Sequence, residues 1–475
     1  MWKVEAPLKN LNGKLSFANL STLNLAKQFG TPLFVTDSER IISNYNRLYS
    51  AFSSHYDKFK INYAVKANNN LSILKLFNYL GSGADCSCPE EISLAKKIGF
   101  KNQDILYTGN YNSNSQLDFA LKQKIMINVD SYSILPRLLK LGTPSLVSLR
   151  INPGIGGGSH SGLVFGGKNT KFGMSLQDAI VTYNLAKKSG VKKFGIHMMT
   201  GSSILDPSYF KKVTNKLIDI AVEIVEECKI SLDFINIGGG FGIPYKPPEK
   251  SLDIDKIGSD IGRIFNGKKS SQVLDKPWLF VEPGRYLVAD STILLTTVHS
   301  IKTGPTKYVG IDVGMNTLLR PALYNAYHHI INASRLNSSK TEIVNVCGQI
   351  CENTDVIAII AGFAESVLLL AENGNEVMLS VVQEATHAVA GYITALAEEL
   401  KYNENQIVLA GNGSIIQNEL FRKSLNDDLR FDFPEIKWTF SSISPAYGAG
   451  MLAAKVQGID VKISNILKGD SLAAA

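Results

Sequence analysis

Short apolar runs rich in β-branched residues alternate, through the first 285 residues, with longer stretches of helical period. Eight such runs follow one another: INYAVK (61–66), GADCS (83–87), ILYTG (105–109), IMINVD (125–130), SLRIN (148–152), FGIHM (194–198), FINIG (234–238) and LFVEP (279–283). Between them, stretches such as LSILKLFNYLGS, EEISLAKKIGF and NKLIDIAVEIVEECK place apolar residues at three- and four-residue spacing. Eight strands alternating with helices predict an α/β fold, a closed (β/α)8 barrel of TIM type over residues 36–285. In such barrels chemistry gathers at the carboxyl ends of the strands. The runs end in Lys66, Asp85, Asn128, Arg150, His197, Gly238–Gly240 and Glu282, which should therefore converge.

Beyond the barrel the pattern changes twice. TILLTTVHSIKTG, TKYVGIDVG and TEIVNVCGQICENTDVIA read as strands joined by turns, predicting an incomplete β-rich domain from residues 1–35 and 286–357. From residue 358 to 475 the grammar is α/β: a long helical stretch over 375–400, a strand-like QIVLA, a Gly-Asn-Gly turn, a helix-like SIIQNELFRKSL, a strand-like IKWTF and an apolar helix from Tyr447.

Composition narrows the function. The 475 residues include 49 Lys+Arg, 42 Asp+Glu and 45% hydrophobic residues, as in an ordinary globular protein. A net charge of +7 without a basic run gives no footing to nucleic-acid binding. The five cysteines (Cys86, Cys88, Cys228, Cys347, Cys351) lack zinc-type spacing, which predicts a reduced, cytoplasmic protein without a metal site. The longest apolar run, 356–371, is broken by Glu365 and falls short of the ~20 residues of a membrane span. The N-terminus has no secretory pattern.

The chemistry-bearing pattern is a lysine ending the first run, three glycines after the seventh and an acid-Pro-Gly-Arg turn after the eighth. Glycine N–H groups can approach a phosphate closely, and barrel phosphate sites form from the loops after strands seven and eight. A lysine amine opposite a phosphate can form a Schiff base with an aldehyde, and pyridoxal 5′-phosphate carries both groups. Glu282 would face the pyridine nitrogen and keep it protonated. Singly, a strand-end lysine is commonly a solvated cap and a Gly-Gly-Gly commonly a turn; together, in strand order, they point to a site.

INYAVKANNN, RINPG, KFGM, GIHMMTGSS, INIGGGFGIPY, VEPGRYLVADS, IDVGMNTLLRPALYNAYH and VCGQICENTD resemble, in order, the motifs of the fold type III pyridoxal-phosphate decarboxylases over residues 25–357. GMNTLLRPALYNAYH and CGQICENTD resemble the branch that acts on diaminopimelate. The resemblance implies decarboxylation of meso-2,6-diaminopimelate to L-lysine and CO2. Lys66 would hold the cofactor, Glu282 would pair with the ring nitrogen, and Asp85 and Arg150 would support lysine and ring. Ser202, Gly238, Gly239, Gly240, Gly284 and Arg285 would surround the phosphate. Arg285, Arg320 and Tyr324 match substrate positions, where guanidinium forks suit a distal carboxylate and argue against ornithine or arginine. Cys351 and Glu352 match a pair delivered across a homodimer interface, the cysteine as proton donor and the glutamate as partner of the distal ammonium.

Two departures stand out. The family's HxHxGS becomes HMMTGS, placing Met199 where a histidine stacks on the ring; His197, at the first histidine position, is expected to be a strand-end packing residue. Residues 358–457 instead resemble the C-terminal part of the sugar-kinase and activator-ATPase group of the actin-like fold. Its SPAYGAG holds Tyr447, which fits that reading better than a phosphate tyrosine. The alternative this raises is a catalytically impaired fusion in which that segment binds a nucleotide or serves a structural role.

Overall fold

The computed structural model describes residues 7–158, 164–167, 170–246, 249–304, 306–337, 344–352, 355–359, 376–399, 406–411 and 418–440. The chain divides into two compact units, one built on residues 2–341 and 345–358, the other chiefly on 359–475.

The first unit is centred on eight parallel strands: β1 (Phe59–Ala64), β2 (Gly83–Cys86), β3 (Ile105–Tyr107), β4 (Met126–Val129), β5 (Leu146–Arg150), β6 (Lys193–His197), β7 (Phe234–Asn236) and β8 (Trp278–Val281). Each pairs with its sequence neighbours, and β8 closes on β1 with Leu279 opposite Phe59 and Val281 opposite Ile61. All eight runs read from the sequence are barrel strands.

Local signals start and stop the helices between them. Asn70 caps Leu71–Tyr79 by accepting the Ser72 N–H, and Ser113 with Gln116 forms a reciprocal capping box on Asn114–Lys122. Helix Pro89–Ile98 has Glu90 and Glu91 in its first turn and Lys96 and Lys97 in its last, each matching the helix dipole, and ends at Gly99 with φ of 100°.

Alternation along the strands sorts side chains into two cores. Ile61, Tyr63, Ile105, Tyr107, Ile127, Leu149, Ile196, Ile235 and Val281 join the main core under the helices. Their alternates Leu106, Met126, Phe234 and Phe280 make a separate cluster at the amino ends of the strands, with the Phe234 and Phe280 rings stacked at 4.5 Å. Above it come the buried Asn62, Asn128, Ser148 and Asn236, and above these Asp85, Arg150, His197 and Glu282. The interior thus grades from apolar to ionisable toward the carboxyl ends, the face where sequence placed the site.

Outside the barrel, Leu8–Leu11, Lys14–Phe17 and Leu20–Ser21 form an antiparallel sheet. Leu33–Thr36 pairs antiparallel with Thr292–Leu295, so the segments entering and leaving the barrel meet. Val298–Lys302, Tyr308–Ile311, Asn345–Cys347 and Val356–Ile359 follow one another in a four-stranded sheet. Its edge strand Val298–Lys302 is exposed throughout.

In the second unit, helix Glu376–Glu399 precedes strand Gln406–Gly411, helix Glu419–Leu429 and strand Glu435–Phe440, and the two strands are parallel. Val382, Ala390, Phe421, Leu425, Leu429 and Phe433 form its core. Helix, strand, helix and strand occur in the order read from the sequence. The Gly-Asn-Gly turn lies outside the described residues apart from Gly411, as does the helix expected from Tyr447. Among the described residues no helix is long and apolar enough to cross a membrane, and no group of three or more His, Cys, Asp or Glu is placed to hold a metal.

Candidate active site

Lys66 sits in the single 3-10 turn Val65–Ala67 that leaves β1. Its Nζ donates to Asp85 Oδ2 at 2.9 Å and to Ser87 Oγ at 3.4 Å. Ser87 is fixed in turn, its N–H donating to Glu91 at 2.6 Å from the first turn of helix Pro89–Ile98. Burial works to lower the pKa of the Lys66 ammonium, but the carboxylates of Asp85 and Glu282 outweigh it and the net shift is upward. Asp85 is pushed up by burial and then by the negative charge of Glu282. The amine is thus held in place as a cation until a reaction partner takes the proton.

Glu282, just past β8, is buried and bound on both oxygens. Oε2 lies 3.0 Å from His197 Nε2, and Oε1 accepts from Asn236 Nδ2 at 2.7 Å. Burial alone would raise its pKa; His197, Lys66 and Asn236 overcome that and hold the carboxyl below its ordinary value. His197, expected only to pack, is therefore a hydrogen-bond partner of the acid, because parallel pairing of β6, β7 and β8 puts His197, Asn236 and the end of β8 side by side. Arg150 at the end of β5 lies 3.3 Å from Asp130, with its guanidinium 4.4 Å from the Phe172 ring centre.

The glycine loop follows β7. Gly238 and Gly240 adopt φ of 72° and 95°, where a side chain is strained. A Cβ on Gly238 would stand 2.3 Å from the Met198 carbonyl oxygen, one on Gly239 2.2 Å from that of Glu282, and one on Gly240 2.8 Å from that of Gly201. The loop is a tight cradle of backbone, and it lies against Met199, whose Sδ is 3.3 Å from the Gly239 N. Ser202 lies beside it in a short parallel bridge with Gly158. Gly284 packs on the lysine turn, where a Cβ would come within 2.8 Å of Ala67 Cβ. Amine, ionised acid and glycine cradle on one barrel rim fit the three ends of pyridoxal phosphate: aldehyde, ring nitrogen and phosphate.

The pyridoxal-binding domain of the pyridoxal-dependent decarboxylases matches residues 40–289. The chain belongs to that family. Among relatives of this pyridoxal-dependent decarboxylase, the diaminopimelate decarboxylase of Methanothermobacter thermautotrophicus is 43% identical over 74% of this chain and 82% of that protein. That of Thermoplasma acidophilum is 37% identical over 72% and 81%. A crystal structure of Methanocaldococcus jannaschii diaminopimelate decarboxylase in complex with L-lysine superposes with a TM-score of 0.68 at 35% identity, covering 74% of this chain and 83% of that one. The enzyme from Helicobacter pylori with L-lysine gives 0.65 at 32%, covering 71% and 84%.

In this pyridoxal-dependent decarboxylase, Arg285 and Arg320 come together around a residue the sequence reading passed over. The Arg285 guanidinium donates through Nη1 to Tyr245 Oη, and that of Arg320 lies 4.8 Å from the Tyr245 ring centre. Arg285, placed by sequence in both the phosphate and the substrate sets, stands with Arg320. Tyr324 closes the short helix Arg320–Tyr324 and is half-buried. Cys351 and Glu352 stand apart: both are exposed on the loop after Asn345–Cys347, and among the described residues neither is hydrogen bonded to the Lys66 group. That loop is anchored by Asp355, which accepts the N–H groups of Met315 at 2.6 Å and Ile350 at 2.9 Å. Tyr245, Ser87, Asn236 and Asp355 were missed. Each stood inside a quoted run without being singled out: Ser87 ends GADCS, Asn236 and Tyr245 lie in INIGGGFGIPY, and Asp355 ends CENTD.

Proposed function

We propose that this decarboxylase acts on meso-2,6-diaminopimelate, yielding L-lysine and CO2. The observation carrying this is the pairing of Lys66 and ionised Glu282 at the barrel rim with two arginines, Arg285 and Arg320, at a second station. The buried donors there include Arg285 Nε and Arg320 Nη1, without partners among the described residues. A substrate reacting at one end and carrying a carboxylate at the other suits both stations. The relatives at 37 to 43% identity named above carry the same activity in their names.

Pyridoxal 5′-phosphate, when bound, supplies the aldehyde and the electron-withdrawing ring that takes up the electron pair freed as CO2 leaves. Lys66 is the residue that would hold its aldehyde end, steered by Asp85 and Ser87. Glu282 keeps a negative charge against the ring end, with His197 and Asn236 fixing both oxygens so that no reorganisation is needed. Gly238, Gly239, Gly240, Gly284 and Ser202 offer the phosphate end N–H and hydroxyl donors, and Arg150 supports the ring from the β5 side. Arg285, Arg320 and Tyr324 orient the far end of the substrate.

We read Cys351 and Glu352 as serving the site of a second copy, Cys351 as proton donor to Cα and Glu352 toward the distal ammonium. Their exposure, with no hydrogen bond to their own Lys66 group among the described residues, supports a homodimer. Five free cysteines support a cytoplasmic setting. The second unit, with parallel strands joined through a helix, is read as the kinase-like α/β segment over residues 358–475, beside a barrel over 36–285 and a β-rich domain of 1–35 and 286–357.

Purified protein with pyridoxal phosphate should absorb visible light and release CO2 from meso-diaminopimelate, and Lys66→Ala should abolish both. Visible absorbance with no lysine formed from meso-diaminopimelate would sink the substrate assignment.

A further inference from the structure

Two guanidinium groups that share a subsite repel one another, so something must hold them together before a substrate arrives. In this structure one side chain touches both. Tyr245, two residues past Ile243 on the exit from the glycine loop, accepts from Arg285 Nη1 through its hydroxyl, and its ring centre lies 5.7 Å from the Arg285 Cζ and 4.8 Å from the Arg320 Cζ. On a further side the ring meets the edge of His328 at 5.5 Å and 80°. The groups that bear most on Arg320 are Tyr245, Arg285 and Tyr324, none of them a carboxylate. Three buried nitrogens of this cluster, Arg285 Nε, Arg320 Nη1 and His328 Nε2, have no partner among the described residues. A tyrosine thus occupies one donor of Arg285 and supports the π-face of Arg320, while leaving a buried donor on each arginine for an anion.

We propose that Tyr245 is the positioning residue of the distal-carboxylate subsite, its hydroxyl fixing Arg285 and its ring fixing Arg320 so that Arg285 Nε and Arg320 Nη1 serve one carboxylate of the substrate. This rests on the reading of the substrate as a long dicarboxylic diamino acid. It makes Tyr245 a determinant of specificity, because the interaction it organises exists only for a substrate with a second carboxylate. L-Lysine, the product, keeps that distal carboxylate, and 1,5-diaminopentane, which has the same chain and amines without it, is the matched comparison.

The test uses the holoenzyme and two variants, Tyr245→Phe, which keeps the ring and removes the acceptor, and Tyr245→Leu, which removes both. Loss of a hydrogen bond to a charged group corresponds to about a 10-fold change. The expected result is a KM for meso-diaminopimelate raised about 10-fold in Tyr245→Phe with kcat nearly unchanged. Tyr245→Leu should raise the inhibition constant of L-lysine by about 10-fold or more while that of 1,5-diaminopentane stays within about 2-fold, with the visible cofactor absorbance intact. A general packing role would weaken both inhibitors alike, so an unchanged ratio of the two inhibition constants in both variants overturns the proposal. Pimelate, a dicarboxylate of the same length without amines, separates this from the substrate assignment. If wild-type enzyme fails to turn over meso-diaminopimelate, that assignment falls, yet pimelate raising the Tm of wild type and not of Tyr245→Leu still supports Tyr245. An equal shift in both proteins, or none in either, overturns it.

Discussion

His197 Nε2 lies 3.0 Å from Glu282 Oε2, and both side chains are buried at the carboxyl end of the barrel. With Asn236 on the other oxygen, the acid is kept ionised in a place where burial alone would neutralise it. Glu282→Gln retains the shape and removes the charge. We expect kcat to fall about 100-fold, in the range of losing one preorganised electrostatic contact. Steady-state assays should show this, with the visible absorbance of Lys66-bound cofactor still present.

The glycine cradle is unforgiving at Gly238, where φ is 72° and a Cβ would stand 2.3 Å from the Met198 carbonyl oxygen. Gly238→Ala is expected to cost about 1–3 kcal/mol of stability and to weaken cofactor binding at least 10-fold. Thermal unfolding and titration with pyridoxal phosphate measure the two effects separately.

Met199 stands where the resemblance places a ring-stacking histidine, and its sulfur is 3.3 Å from the Gly239 N. Met199→Ala removes both the thioether face and the weak acceptor. A sulfur–ring contact is worth about 1 kcal/mol, so cofactor affinity should fall about 5-fold. Cofactor affinity unchanged in this variant would show that the thioether contributes nothing to the ring.

Asp355 ties two loops together by accepting the N–H groups of Met315 and Ile350. Asp355→Ala leaves both donors unpaired, at a cost of about 1–3 kcal/mol each. Because Ile350 precedes Cys351, turnover should fall along with stability; urea unfolding and kcat measured on the same preparation report the two.

His328 is pushed down to about 4 by burial, with the positive charges of Arg320 and Arg285 adding to it. Its folded pKa lies below the unfolded value of about 6.5. Between those values the unfolded chain binds more protons, so this residue's contribution makes stability rise with pH and is lost as pH falls from about 6.5 toward 4. His328→Asn should flatten the Tm profile across that window, and an identical slope in wild type and variant would contradict the assignment.

Much of this was legible in the chain itself, and for identifiable reasons. The eight barrel strands are short, β-branched and separated by well-capped helices, so local pattern sufficed, and Lys66, Asp85, Gly238–Gly240 and Glu282 sit together because strand ends converge in any such barrel. The hydrogen bond of His197 was hidden because its partner is 85 residues away and is reached only through the register of β6, β7 and β8. Tyr245 was hidden for a different reason: an aromatic residue after a glycine turn is ordinary, and only the approach of Arg320, from a helix beyond the barrel, gives it a task. On the reading proposed above, Cys351 and Glu352 serve the site of a second copy, and pairing between copies is not written in local pattern.

The apolar cluster of Leu106, Met126, Phe234 and Phe280 at the amino ends of the strands has a bearing on traffic. It stoppers the amino end of the barrel and leaves the mouth on the side of Lys66 as its opening among the described residues. The gas formed in each turnover then shares the door through which the amino acid entered, and the rim that selects substrate also bears on the exit of both products.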